Sequence, residues 1–240
     1  MLIPKEVLNS GIEKVCDKES LRYALGGVLL ERDSSDPGLA YAAATDGKAL
    51  IVLRWRDDDR AEYPTIDGCS AVDQPDEPIR AIVGADTWKT LAKMPPKRHP
   101  REILTQLAVD ERRSQGEKLV VGTTTGDEST VRTVRQLDGR FPEWRNVLDI
   151  YHEHASPNWL RVDPQYLATI ATIMQKATAQ DKTAIESYGI AEPIVLAADG
   201  ETVSGIGLIM PFTGDHSTPV FWSDIKNRFA EKTQAIVGAS

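Results

Sequence analysis

Residues 39–55, Leu-Ala-Tyr-Ala-Ala-Ala-Thr-Asp-Gly-Lys-Ala-Leu-Ile-Val-Leu-Arg-Trp, decide the fold. Residues 39–45 and 49–55 read as two strands, and Asp46-Gly47 between them is a hairpin turn. Upstream, 21–31 is rich in Leu, Tyr and Val and reads as a third strand, separated from the hairpin by the turn formers of 33–38. Further upstream, Pro4 suits the first turn of a helix, where its missing N–H costs nothing. Val7, Leu8, Ile12, Val15 and Cys16 then recur at helical spacing over about three turns. With a short strand opening at Leu2, the order is strand, helix, then several strands.

The same order recurs twice. Residues 56–78 are polar and irregular, with Pro64, Gly68, Pro75 and Pro78, and read as an internal linker. A second unit follows: strand 79–83, a short helix with Asp86 as N-cap and Trp88, Leu91, Ala92 and Met94 along it, ended by Pro95 and Pro96, then strands 103–110, 118–124 and 130–137. A connector runs from Phe141 to about Pro157. The third unit has strand 159–162, Asp163 capping a helix with Pro164 at its first position, and a buried face of Leu167, Ile170, Ile173, Met174 and Ala177. Strands 183–189, 193–198 and 205–212 complete it, and a tail helix is expected with Ser223 as cap and Ile225 and Phe229 on one side. Three helices argue against an all-β protein. Strands that come in runs argue against a doubly wound parallel sheet. The expected class is α+β, built from about three repeated β-α-β-β-β units.

Composition narrows function more than fold. The 240 residues carry a net charge of −8, with 41% apolar and 27% charged residues. That is enough apolar material for a core, and the wrong overall sign for a general nucleic-acid coat, so DNA contact would need a local basic surface. Cys16 and Cys69 are the only cysteines, which leaves no disulfide framework and no cysteine zinc site. The start is charged within a helical pattern, unlike a signal peptide, and no run of about 18 apolar residues suggests a membrane span. A cytoplasmic location is the expectation.

Four segments carry a resemblance: Leu21-Arg22-Tyr23-Ala24-Leu25-Gly26-Gly27-Val28-Leu29-Leu30, then Ala44-Thr45-Asp46-Gly47-Lys48-Ala49-Leu50, then Asp138-Gly139-Arg140-Phe141-Pro142-Glu143-Trp144-Arg145-Asn146-Val147, and Gly207-Leu208-Ile209-Met210-Pro211-Phe212. In this order they resemble the beta subunit of bacterial DNA polymerase III, the DNA sliding clamp. The resemblance implies a DNA-clamp-like fold. It implies a non-enzymatic role in DNA replication or repair, with no cofactor. It also implies an apolar cleft between two domains for a short linear motif, typically a Gln followed by Leu and an aromatic residue. Carried over by position, Arg22, Tyr23 and Leu25 fall on one wall. Thr45, Gly47, Lys48 and Leu50 fall on the adjacent hairpin, Pro142 and Val147 on the connector, and Leu208 and Met210 on the last strand. The chemistry suits weak peptide binding: apolar side chains, a Met that repacks around different guests, and Thr45 and Arg22 as hydrogen-bonding groups. The competing reading of Leu25, Leu50 and Val147 is plain core, where strand-spaced apolar residues usually lie.

The resemblance covers residues 1–150 as one clamp domain, like the middle domain of the family, and 151–212 as half a domain, like its C-terminal end, with 213–240 as an extension. Lys48-Ala49 stands where the family more often has a basic pair or His-Arg. With three units per chain, a twelve-unit ring would take four copies. Lys89, Lys93, Lys97, Arg98 and Arg101 form the one cationic cluster, read either as loose, sequence-independent contact with double-stranded DNA or as a solvated helix end. His152-Glu153-His154 lacks a third metal ligand nearby, and Asp57-Asp58-Asp59 reads as a solvated acidic linker. No phosphate-binding Gly-rich loop or nucleophile elbow occurs. Two expectations follow: a clamp that binds partner motifs and encircles DNA as a homo-oligomer, or a non-ring peptide-binding adaptor or decoy.

Overall fold

The computed structural model describes residues 1–17, 19, 23–57, 59–69, 79–114, 116–149, 162–187 and 192–211. The first unit is β1 (Leu2–Ile3), α1 (Lys5–Asn9), β2 (Gly27–Arg32), β3 (Leu39–Thr45) and β4 (Ala49–Arg56). The second is β5 (Arg80–Gly84), α2 (Ala85–Leu91), β6 (Leu107–Asp110), β7 (Lys118–Thr124) and β8 (Ser129–Arg135). A short connector helix, α3 (Trp144–Asp149), precedes α4 (Pro164–Thr178), β9 (Ala184–Ser187), β10 (Ile194–Asp199) and β11 (Val203–Ile209). The protein is thus a mixed α+β fold with antiparallel sheets, as the sequence pattern implies.

The first two units exchange their opening strands. β1 pairs with β6 of the second unit, and β5 pairs with β2 of the first. The third unit joins differently: β11 runs antiparallel along β4 through seven residue pairs, Val203↔Trp55 to Ile209↔Ala49. The result is a seven-stranded sheet, β5-β2-β3-β4-β11-β10-β9, and a four-stranded one, β1-β6-β7-β8.

The period of two along each strand sorts side chains between two faces. Ala40, Ala42, Ala44, Ile51 and Leu53 turn to the helix side and pack with Ile170, Ile173 and Met174 of α4. Small residues here let the helix sit close. A Cβ on Gly207 would lie 2.5 Å from Ile170 Cγ2, inside contact distance. Asp163 caps α4 as expected, accepting a 2.8 Å bond from Gln165 N. Buried ions hold the exchanged strands. Arg32 pairs with Asp57 and Glu111, all almost fully buried, and Asp57 also accepts the Leu2 N–H at 2.9 Å. The Met1 ammonium lies 2.8 Å from Glu111.

Several local expectations are corrected. The first helix does not run on to Cys16: it stops at Asn9, Gly11 turns left-handed at φ +86°, and a 3-10 turn covers Ile12–Lys14. Ser10 bridges the break, its hydroxyl donating to Val7 O at 2.8 Å and accepting from Ile12 N at 3.2 Å. The strand expected over 21–31 begins only at Gly27, after a 3-10 turn at Tyr23–Gly26. β5 runs straight into α2, so extended Gly84 is the N-cap and Asp86 sits in the first turn, where its charge still favours the helix dipole. Asp57 is not solvated but 2% exposed, because Arg32 and the β1 backbone claim it. The linker is structured in part, since Tyr63, Ile66 and Cys69 pack with Leu2, Leu104 and Ala108 over the four-stranded sheet. The tail-helix expectation and most of strand 159–162 lie outside the described residues.

Candidate functional site

The β3–β4 hairpin sets the site's first edge. Thr45 and Leu50 face each other across it. Gly47, at φ +88°, takes the left-handed position, and a Cβ there would meet nothing within 4 Å. Asp46 Oδ1 accepts the backbone N–H groups of Lys48 (2.8 Å) and Ala49 (2.9 Å), which locks the turn. The Thr45 hydroxyl donates to Ala49 O at 2.7 Å and accepts from Gly47 N at 3.0 Å. Its single hydrogen is therefore spent inside the turn. From the third unit, Tyr166 of α4 donates to Asp46, and that bond pushes its phenol up to about 12. The hairpin tip is tied to the last strand as well, by Met210 N donating to Lys48 O at 2.9 Å.

On the sheet face away from α4, Leu50, Val52 and Leu208 form one cluster with Leu29, Ala43 and Ile82, roofed by Phe141 and Trp144 of the connector. Val147, Val195 and Ile206 pack at its margin, half-buried. The connector is clamped by charge. The Arg145 guanidinium lies 4.2 Å from the Trp144 ring centre and 4.9 Å from that of Tyr41, and it bonds Glu31 and Asp33. The Ser35 hydroxyl donates to Asp33 and holds its carboxyl down at about 2.

The expected peptide-site residues therefore divide. Leu50, Val147 and Leu208 meet in the outer cluster, beside the joint of β4 with β11. Leu50 and Leu208 are buried in it. Met210 stands at the end of the joint, 42% exposed, and Pro142 and Lys48 are exposed. Leu25 is buried outside that cluster, while its neighbour Ala24 belongs to it. Arg22 lies outside the described residues; Tyr23 opens a 3-10 turn. Sequence reading missed Val52, Ile206, Val195 and Trp144. The first two could have been found by stepping two residues from Leu50 and Leu208 on the same strands.

Lys89, Lys93, Lys97, Arg98 and Arg101 are all exposed along α2 and the loop after it. Lys89 sits 4.0 Å from Asp86. Among the described residues, no group of three or more His, Cys, Asp or Glu side chains could hold a metal ion, and no helix is long and apolar enough to cross a membrane. His152-Glu153-His154 lies outside the described residues.

No protein-family model and no curated protein matches the chain. Solved structures do. The DNA polymerase sliding clamp from Pseudomonas aeruginosa matches at TM-score 0.57 and 12% identity, over 88% of this chain and 66% of that one. A beta clamp of H. pylori in complex with diflunisal matches at TM-score 0.60 and 11% identity, over 88% and 66%. The Helicobacter pylori beta clamp bound to a DNA ligase peptide matches at TM-score 0.57 and 12% identity, over 88% and 64%. The chain spans just under two thirds of the length of these clamps, and at such identities the likeness is one of fold.

Proposed function

We propose that this chain is a sliding-clamp-like protein of DNA replication or repair whose outer face binds short linear motifs of polymerases and related partners. The observation that carries the reading is the meeting of Leu50, Val147 and Leu208 beside exposed Met210, where the connector crosses the β4–β11 joint. A similar fold in the Helicobacter pylori clamp receives a DNA ligase peptide. In this reading the protein is cytoplasmic, has no catalytic role and needs no cofactor. Residues 1–150 act as a clamp domain, 151–212 as half of one and 213–240 as an extension. Burying one Leu and one aromatic side chain contributes about 2 kcal/mol each, which corresponds to roughly millimolar, exchangeable binding.

The test is fluorescence anisotropy with a labelled peptide holding a Gln followed by Leu and Phe. Wild-type protein binds it, and Met210→Asp abolishes binding while leaving the melting temperature unchanged, since Met210 is exposed. Equal binding by the two proteins puts the pocket elsewhere. The exposed cations of residues 89–101 support non-specific contact with double-stranded DNA, which weakens steeply with salt. Light scattering separates a closed homo-oligomer able to encircle DNA from a monomeric adaptor or decoy.

A further inference from the structure

The two sheets end on four outer strands: β1 and β8 in the smaller, β5 and β9 in the larger. An outer strand offers unpaired backbone N–H and C=O groups to a second chain unless something closes it. Three of the four are closed. At β1, Leu2 N donates to Asp57, and Leu2 O accepts the Trp55 indole N–H at 2.8 Å. β5 is overlaid at Leu137, whose N–H donates to Ile82 O at 2.8 Å. On β8, Arg132 stands opposite Val121 and so points to the core side of the sheet, an inward charge that deters edge pairing.

β9 has no such device among the described residues. Ile185 lies opposite buried Leu196, on the α4 side, and is 57% exposed. The strand's one charge, Glu186, lies opposite Val195 on the outer side. The earlier units reveal what such a strand carries. β9 is the first strand after its unit's long helix, as β2 and β6 are the first strands after α1 and α2. β2 is covered by β5 and β6 by β1, in each case the opening strand of the other unit and never of its own. These opening strands share a pattern. The residues one and three places before the helix N-cap are apolar and turn to the core: Ile3 and Met1 before Pro4, Val83 and Ala81 before Gly84. Before Asp163, the N-cap of α4, the same two places hold Val162 and Leu160. The third unit thus has the sequence of an opening strand and a bare β9, but no fourth unit in this chain to trade with.

We propose that the bare edge of β9 is an interface between two copies of this chain, in which each third unit lends its opening strand to the β9 of the other. The exchange that joins the first two units within one chain is then repeated between chains. Two chains so joined share one domain made of a half from each, flanked by the two domains that each chain builds alone. The contact is two-fold and self-limiting, because each bare edge is consumed by the other. The inference goes beyond the peptide-binding reading and stands whether or not a peptide binds, since β9 lies two strands beyond the β4–β11 joint.

The test is sedimentation of the full chain over a wide range of concentration, with hydrogen exchange read on the same samples. Wild-type protein reaches the mass of two chains. The β9 amides gain protection as it does so, while those of β2 and β6, already covered, do not change. Ile185→Lys puts a charge on the shared edge and weakens self-association about ten-fold or more. Because Ile185 is exposed in the single chain, the two proteins have the same urea midpoint at dilutions where both are single chains. Val131→Lys, at an exposed site on the β8 edge, leaves association as in wild type. A wild-type mass of one chain throughout overturns the inference, as does a multimer that Ile185→Lys leaves whole. Protection of β9 that is present in the single chain and indifferent to dilution also overturns it, because the chain then closes its own edge.

Discussion

The first two units and the third are built from the same elements but are held in place by different means. Units one and two trade opening strands, so each sheet gains a strand from the other unit, and a buried Arg32–Asp57–Glu111 cluster ties the traded β1 to β2 and to the ends of β4 and β6. The third unit trades nothing among the described residues. It rests on one strand joint, β11 on β4, on α4 packed against α1 and the inner face of β3 and β4, and on the Tyr166–Asp46 bond. At its far side β9 has no neighbour but β10 among the described residues, and Ile185 is 57% exposed. Strand exchange links the first two units at two places, whereas the third meets them along one sheet joint and one helix face, so it is expected to open first.

The comparison breaks most readily at the ion cluster. Arg32→Ala takes from two buried carboxylates the cation they share, leaving one ammonium between them, and destabilises the protein by about 3–5 kcal/mol, read as a fall in the urea midpoint. Arg56→Ala, whose pair with Asp36 is exposed, costs under about 1 kcal/mol. Equal losses from the two changes would mean that the buried cluster does not hold the exchanged strands. Gly207→Ala comes next. Its methyl group meets Ile170 Cγ2, and overpacking of this kind costs about 1–3 kcal/mol. The cost falls on the third unit, so hydrogen exchange quickens in β9, β10 and β11 while β6 and β7 keep their protection. Ile170→Ala in the same chain removes the clashing Cγ2 and relieves part of it, against the cavity it leaves. A uniform loss of protection across both regions would show that the third unit is not a separate cooperative element.

The connector between the two regions responds to acid. Asp33 is held at about 2, against an ordinary 3.8, mainly by the Ser35 hydroxyl, and it pairs with Arg145. A lowered folded-state value means the contribution is present above pH 3.8 and is lost as pH falls toward 2. Between those values wild-type stability drops more steeply than that of Asp33→Asn, as followed by urea midpoints at stepped pH. Parallel curves for the two proteins would remove Asp33 from the connector's anchorage.

The units were legible in the sequence because strands and helices have different apolar periods and because Asp46-Gly47 and Asp163-Pro164 carry turn and cap chemistry of their own. The corrections fall where a long-range partner overrides local preference. Nothing near Asp57 in the sequence announces Arg32 or Glu111, which come together only through strand exchange. Gly11 breaks a helix whose apolar spacing continues across it, and those residues are buried all the same. At the site, the sequence marked the residues of the hairpin and last strand one by one. That Val52 and Ile206 prolong each strand's face was legible from the period of two; that the two faces lie side by side follows only from the β4–β11 register, which no local signal sets.

The smallest expected effect is at the free edge. Ile185 lies across from buried Leu196 in the β9–β10 ladder, so its side chain leans to the α4 side of the sheet but reaches past what α4 covers. A lysine there keeps its stem on the sheet and its charge in water, the usual way an edge strand is kept from pairing. Ile185→Lys therefore changes stability by less than about 0.5 kcal/mol. In the exchanged pair of units the matching change is not tolerated: Val83 on β5 is 1% exposed, and a lysine there buries a charge without a partner. Urea midpoints and sedimentation of Ile185→Lys and Val83→Lys, side by side, measure the contrast directly. An unchanged mass and midpoint for Ile185→Lys, with a collapse for Val83→Lys, means that the third unit is complete with three strands. A lower mass or midpoint for Ile185→Lys means that β9 is covered in solution, and that the third unit, like the first two, gains its fourth strand from elsewhere.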